Sequence, residues 1–137
     1  MYRVYNDQFT DYYYSRSLSE ISAAETYAGY SGRVTAYQAP NTPTDASKPW
    51  LAYFGPAPWL EHYYTSNAAT GQFVVNAGYI SEGSEGYVYT SPVLGAVPLY
   101  QFSQYYPATG DLMHHYSKSS TPPAGMSFEE IAGYVCP

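Results

Sequence analysis

The sequence predicts an all-β single domain with minor helix, in which three repeats form a pseudo-threefold, propeller-like ring; a β-trefoil is the alternative. Three observations carry this expectation. One motif recurs: Gly125-Met-Ser-Phe-Glu-Glu-Ile-Ala-Gly-Tyr-Val-Cys136 aligns without a gap with Gly78-Tyr-Ile-Ser-Glu-Gly-Ser-Glu-Gly-Tyr-Val-Tyr89, and a shortened copy runs Gly29-Tyr-Ser-Gly-Arg-Val-Thr-Ala-Tyr37. The copies open on the pairs Met1-Tyr2, Trp50-Leu51 and Leu99-Tyr100, 49 residues apart, a period that signals repeat architecture. The third observation is composition: 19 Tyr stand against six Leu and three Ile. Such a core must be filled by Tyr rings, each needing a hydrogen-bond partner for its hydroxyl when buried.

The elements follow in order. Tyr2 to Tyr5 alternates as a strand, Asn6 to Thr10 is turn-forming, and Tyr12 to Ser15 is a second strand rich in aromatic β-formers. Ser19 through Ala28 carries helical spacing, with Ser19 as the expected cap and Gly29 as the stop. In the second repeat the corresponding stretch, Ala68 to Ala77, contains Gly71, which weakens the helix expectation; in the third, Thr121-Pro-Pro-Ala-Gly125 leaves little room for a helix. Gly86 to Tyr89 and Gly133 to Cys136 read as closing strands. Connectors at Ala39–Pro49 and Thr90–Pro98 separate repeats at 1–40, 49–92 and 98–137. A lone unit of about 45 residues cannot bury its apolar face, so the three are expected to pack as one domain of residues 1–137, closed so that no strand edge is left exposed.

Charge narrows the function. The net charge is −6 with only five Lys and Arg, too few and too scattered for nucleic acid or an anionic membrane surface. The longest apolar stretch, Val93 to Leu99, is broken by Gly95 and Pro98, so no membrane insertion is expected. The chain opens Met1-Tyr-Arg-Val without an apolar signal-peptide core, and its single cysteine suits a reducing compartment. The expected location is the cytoplasm, with release to act outside the cell. Zinc requires three or four converging ligands, and neither His-x-x-x-His nor Cys-x-x-Cys occurs. Adjacent His114 and His115 would face opposite sides of a strand. No Gly-x-Ser-x-Gly elbow and no phosphate-cradling glycine loop is found. A cofactor-free, non-enzymatic protein is expected.

The remaining constellation is an aromatic, acidic and His cluster in each repeat: Phe9, Asp11 and Tyr13; Trp59, Glu61, His62 and Tyr63; Asp111, His114 and His115. A sugar offers an apolar face of C–H groups and a rim of hydroxyls, so its site needs a ring platform beside a carboxylate acceptor. Asp11, Tyr13, Trp59, Glu61, His62, Tyr63, Asp111, His114 and His115 are therefore the candidate carbohydrate-binding residues, in up to three shallow sites.

The succession of aromatic opening, Tyr-Pro-Ala-Thr-Gly-Asp111, aromatic-His cluster and Gly-x-x-Phe-Glu-x-Ile-Ala-Gly-Tyr-Val135 resembles a tyrosine-rich repeat family of fungal proteins, mushrooms included, and of bacterial extracellular proteins. Its units read roughly Gly-Asp-His-Phe-Tyr-Thr…Glu-Gly-Ile-Ala-Gly-Tyr-Val-Tyr, often beside carbohydrate-active domains. The Asp-His pair survives in part: Tyr12 follows Asp11, Glu61 replaces Asp before His62, and Leu112 and Met113 separate Asp111 from His114. The resemblance implies carbohydrate association, as in a defensive mushroom lectin binding glycans or glycoproteins. The alternative is a protein-binding module, such as a protease inhibitor using the Pro40–Pro49 or Pro92–Pro98 loop; a ligand-free structural protein is the third reading.

Overall fold

The computed structural model describes residues 1–137, the side chain of Leu94 excepted. In each repeat the first strand is the middle one of three. β1 (Tyr2–Asn6) lies antiparallel between β2 (Asp11–Ser15) and β3 (Ser31–Thr35), with α1 (Leu18–Tyr27) connecting the latter two. β4 (Ser47–Gly55) lies between β5 (Glu61–Thr65) and β6 (Ile80–Tyr89), which α2 (Ala68–Ala77) connects. β7 (Val97–Tyr106) lies between β8 (Asp111–Ser117) and β9 (Ser127–Val135), joined by bends and turns. The chain is mostly β, in two antiparallel sheets ordered β2-β1-β3 and β5-β4-β6-β9-β7-β8. Among the described residues no helix is long and apolar enough to cross a membrane.

Local chemistry explains the helices. Ser17, rather than Ser19, caps α1: its Oγ accepts the Glu20 N–H at 3.3 Å, while the Glu20 carboxylate accepts from Ser15 Oγ at 2.5 Å. Ser17-Leu-Ser-Glu20 is the Ser-x-x-Glu spacing that satisfies free amides at a helix start. α2 forms in full despite Gly71, with Asn67 as its cap and Gly78 in the left-handed region as its stop. Gly71 stands there because the Tyr53 hydroxyl occupies the space its Cβ would take. In the first repeat the corresponding pair is Ile21 and Val4, both fully buried, so a large-small pair replaces a medium-medium one.

The sheets do not close by strand pairing, contrary to the expectation that no strand edge is left exposed. β2, β5 and β8 are all terminal strands, and they meet in the core through side chains. The Tyr64 hydroxyl accepts the Tyr14 N–H at 2.9 Å and donates to the Tyr14 carbonyl at 2.8 Å. The Tyr116 hydroxyl does the same to Tyr64, at 2.9 and 2.8 Å. The Tyr14 hydroxyl completes the cycle on Tyr116, at 2.9 and 3.2 Å. The three rings meet edge to face at 5.5–5.6 Å between centroids, against buried Trp50. Hydroxyls thus satisfy edge amides and carbonyls that a neighbouring strand would otherwise bind. The closing segments touch through single contacts: Tyr89 pairs with Tyr134, Cys136 N–H bonds Gln38 O at 2.9 Å, and Tyr87 N–H bonds Pro40 O at 3.2 Å. Tyr89 and Tyr134 lie within β6 and β9, so that pair joins the second and third units in one sheet; Gln38 and Pro40 lie beyond the end of β3, so the first unit stands as a separate sheet.

Candidate functional site

Where β2 meets β5, Asp11 and His62 come together from different repeats. Asp11 Oδ1 accepts the His62 backbone N–H at 2.8 Å, and Oδ2 lies 2.6 Å from His62 Nδ1. The Tyr30 hydroxyl donates to Oδ2 at 2.5 Å. On the far side of the ring, Glu82 Oε1 lies 3.4 Å from His62 Nε2.

The β5–β8 junction repeats the arrangement. Glu61 Oε2 lies 2.7 Å from His114 Nδ1, Glu61 Oε1 accepts from the Tyr79 hydroxyl at 2.5 Å, and Glu129 Oε2 lies 3.2 Å from His114 Nε2. Here an amide is added: Gln101 Nε2 donates to Glu129 Oε2 at 2.5 Å.

Two β-bulges place the outer carboxylates. Ala52 pairs with Gly83 and Tyr53 with Ser81, which leaves Glu82 unpaired; Gln101 pairs with Glu130 and Phe102 with Phe128, which leaves Glu129 unpaired. A bulge of this kind turns the extra side chain out of the strand's alternation.

Each histidine has a carboxylate at both nitrogens, the geometry of an imidazolium. Burial works against the charge on His114, but the Glu61 charge and the bonds to Glu129 and Glu61 outweigh it and raise its pKa to about 9. His62 is raised in the same way, burial being overcome by Asp11 and then Glu82. Burial also opposes ionisation of Glu129, yet its bond to His114 and the His114 charge hold it down to about 2. For Glu61, fully buried, burial wins and pushes the carboxyl above its ordinary value, against the pull of His114 and Tyr79.

Each junction opens into a cleft. One, of about 350 Å³, is lined by Tyr13, Tyr30, His62 and Glu82 with Glu20, Ala23 and Ala24 of α1. The other, of about 340 Å³, presents Tyr63, Tyr79, His114 and Glu129 with Thr70, Phe73 and Val74 of α2, and adds Trp59 and Gln101. Two further depressions, about 510 Å³ around Lys48, Asn67 and Tyr134 and about 420 Å³ around Met1, Arg16 and Asn41, take in neither of the paired histidines.

The β8–β2 junction is built differently. Aligning Tyr14, Tyr64 and Tyr116 puts Met113 where Asp11 and Glu61 stand and Tyr12 where the histidines stand, and aligning the motif glycines Gly29, Gly78 and Gly125 puts Met126 where Tyr30 and Tyr79 stand. Met113 and Met126 pack on Phe102 with Tyr12 at their edge, so acid, hydroxyl and imidazole are replaced together by apolar groups.

Of the nine residues that the sequence singles out, Asp11, Tyr13 and His62 gather at one junction and Trp59, Glu61, Tyr63 and His114 at the other. Asp11 and Glu61 each bind the histidine of the following repeat, through His62 and His114. Asp111 lies apart, opposite Tyr106 at the tip of a hairpin two residues longer than its counterparts. His115 faces the other side of β8, within 3.2 Å of the Tyr14 hydroxyl, and burial followed by nearby Arg3 lowers it to about 4. Sequence reasoning passed over Tyr30, Tyr79, Glu82, Glu129, Gln101 and Phe73. A signal existed for four of these: Gly-Tyr recurs at Tyr30 and Tyr79, and a Glu recurs four residues after the motif glycine at Glu82 and Glu129. Among the described residues no three His, Cys, Asp or Glu side chains are grouped to hold a metal ion.

No curated protein and no solved structure matches this chain. A family model does, over residues 1–136, and the chain belongs to that family, the domain of unknown function DUF5648.

Proposed function

We propose that this chain is a non-enzymatic carbohydrate-binding protein, a lectin, with a sugar site in each of the two junction clefts. The observation that carries the reading is the doubled constellation: rings beside an exposed carboxylate, anchored by an acid–His–acid row, at corresponding places in both clefts. Trp59 and Phe73, the latter 72% exposed, give the second cleft an apolar wall for a sugar's C–H face; Tyr13 and Tyr30 do so in the first. Glu82 and Glu129 present exposed carboxylates, 40% and 37%, and exposed Glu20 joins Glu82 in the first cleft, all available to accept sugar hydroxyls. With both nitrogens turned to carboxylates, His62 and His114 have no lone pair for general base or nucleophilic work, which supports binding rather than catalysis. We read the scaffold as a pseudo-threefold, propeller-like ring; the cyclic Tyr14–Tyr64–Tyr116 bonding supports it. Two weak sites on one rigid body raise avidity on glycan-coated surfaces.

A glycan array probed with the chain and with a Tyr13→Ala/Trp59→Ala variant tests the reading. Binding to a defined glycan class, lost in the variant but kept when exposed Asp45 in the Pro-bounded loop is changed to Asn, is the expected result. Absence of binding to every sugar at millimolar concentration would sink it.

A further inference from the structure

Beside the first cleft lies an apolar hollow of about 220 Å³, lined by Phe9, Ala28, Tyr30, Phe54 and Leu60. Ala28 and Tyr30 also line the cleft, so the two spaces share a wall. The second junction shows how they relate. Trp59, Ala77 and Tyr79 stand where Phe9, Ala28 and Tyr30 do, and Leu112, counted from the core tyrosines, stands where Leu60 does. There all four line a single cleft together with His114 and Glu129. By that correspondence the hollow is the apolar end of the first cleft.

Backbone conformation points to the same place independently. Leu60, directly before β5, has φ 49°, in the left-handed region where a side chain is strained; directly before β8 the chain uses Gly110, at φ 80°. A leucine kept where glycine fits without strain sets an apolar side chain against the hollow. The wall is within reach of a ligand, since Phe9 is 37% exposed and Tyr30, Phe54 and Leu60 are only half-buried.

Size and chemistry narrow the occupant. A pocket for a whole small molecule runs to about 300–1,000 Å³. The hollow falls below that, so it suits one part of a ligand whose remainder fills the adjoining cleft of about 350 Å³. Three of its five lining side chains are aromatic and none is charged, and the Tyr30 hydroxyl is already committed to Asp11. Such walls favour another aromatic ring, packed offset or edge to face. We infer that the first cleft binds an aryl glycoside, with the sugar against Tyr13 and Glu82 and the aromatic aglycone between Phe9, Phe54 and Leu60. This rests on the carbohydrate reading above and adds the group that the sugar carries.

NMR titration of the full chain with phenyl, octyl and methyl β-glycosides of glucose, galactose and N-acetylglucosamine, and with phenol, tests this. The imidazole C–H signals of His62, whose ring lies 5.3 Å from Phe54, report on the first cleft, and those of His114 on the second. At His62 the phenyl glycoside of at least one sugar is expected to bind at least about ten-fold more tightly than its methyl counterpart. Leu60→Asn makes the wall polar with a residue that tolerates the left-handed backbone. It and Phe9→Ala are each expected to bring the ratio of phenyl to methyl affinity close to one. Tyr105→Ala, which removes a ring 61% exposed near the end of β7, is the control and should keep the ratio. Equal binding of phenyl and methyl glycosides, or a ratio that survives both cleft variants, overturns the inference and leaves the carbohydrate reading standing. An octyl glycoside binding more tightly than the phenyl one overturns the aryl assignment, and an equal loss in Tyr105→Ala reduces the gain to non-specific adsorption and overturns it too. Phenol binding as tightly as the phenyl glycosides, or no glycoside moving the His62 signals, removes the carbohydrate reading for this cleft and the inference with it.

Discussion

Tyr64→Phe removes one oxygen atom and tests what holds the three units together. That oxygen accepts the Tyr14 N–H at 2.9 Å and donates to the Tyr14 carbonyl at 2.8 Å, in a fully buried position. The phenyl ring keeps its edge-to-face contacts at 5.5 and 5.6 Å, so the loss is confined to two hydrogen bonds. Each leaves a backbone group unsatisfied in the core, at about 1–3 kcal/mol apiece, for a total of roughly 2–4 kcal/mol after partial relaxation. Against a typical domain stability of about 5–15 kcal/mol, this moves the urea midpoint down by roughly 1–3 M. Equilibrium urea unfolding followed by Tyr and Trp fluorescence measures it. Tyr37→Phe is the internal control: Tyr37 is also buried, but its hydroxyl lies beside the Trp50 indole N–H and bonds no backbone group, so its loss is expected to cost less than that of Tyr64. A Tyr64→Phe loss below about 0.5 kcal/mol, or one no larger than that of Tyr37→Phe, would refute the hydroxyl cycle as the link between the strand edges.

The adjacent histidines are expected to titrate far apart when followed by NMR of the imidazole C–H signals, His114 near 9 and His115 near 4. Because His114 is raised, its contribution to stability is complete below the ordinary value of 6.5 and is lost as pH rises through about 9. His115 is lowered, so its contribution is present above 6.5 and is lost as pH falls through about 4; a common midpoint for both would contradict the two environments. Gly71→Ala would stabilise an ordinary helix by about 1 kcal/mol. Here the new methyl overlaps the buried Tyr53 hydroxyl, so thermal unfolding should register a net loss of about 1–3 kcal/mol. Gly71→Ile combined with Tyr53→Val, the pair that Ile21 and Val4 form in the first repeat, should be more stable than Gly71→Ile alone; no such recovery would rule out the steric account.

The strands were legible wherever periodicity and aromatic content coincided. Tyr2–Tyr5 and Tyr12–Ser15 are β1 and β2 to within a residue. The expected closing strands, Gly86–Tyr89 and Gly133–Cys136, proved to be the ends of much longer β6 and β9. The reason is that bulges carry the pairing past Gly83, Gly86 and Glu129, and nothing in local propensity distinguishes a bulge from a strand end. The helix around Gly71 was undervalued because propensity counts the missing side chain and not the tyrosine that fills its place.

Residue types, spacings and the threefold repetition are properties of the chain alone, and they were enough to identify a mostly β protein and seven of the residues that gather at the two clefts. Which of them meet was decided by packing between repeats. Asp11 reaches His62 and Glu61 reaches His114 over 51 and 53 residues of sequence, because the edges of β2, β5 and β8 converge on shared tyrosine hydroxyls. Asp111 missed the corresponding place because its hairpin extends two residues further and brings Met113 there instead. Hairpin length and bulge position set where a side chain points in space, and both depend on the partner strand as much as on the chain that carries them.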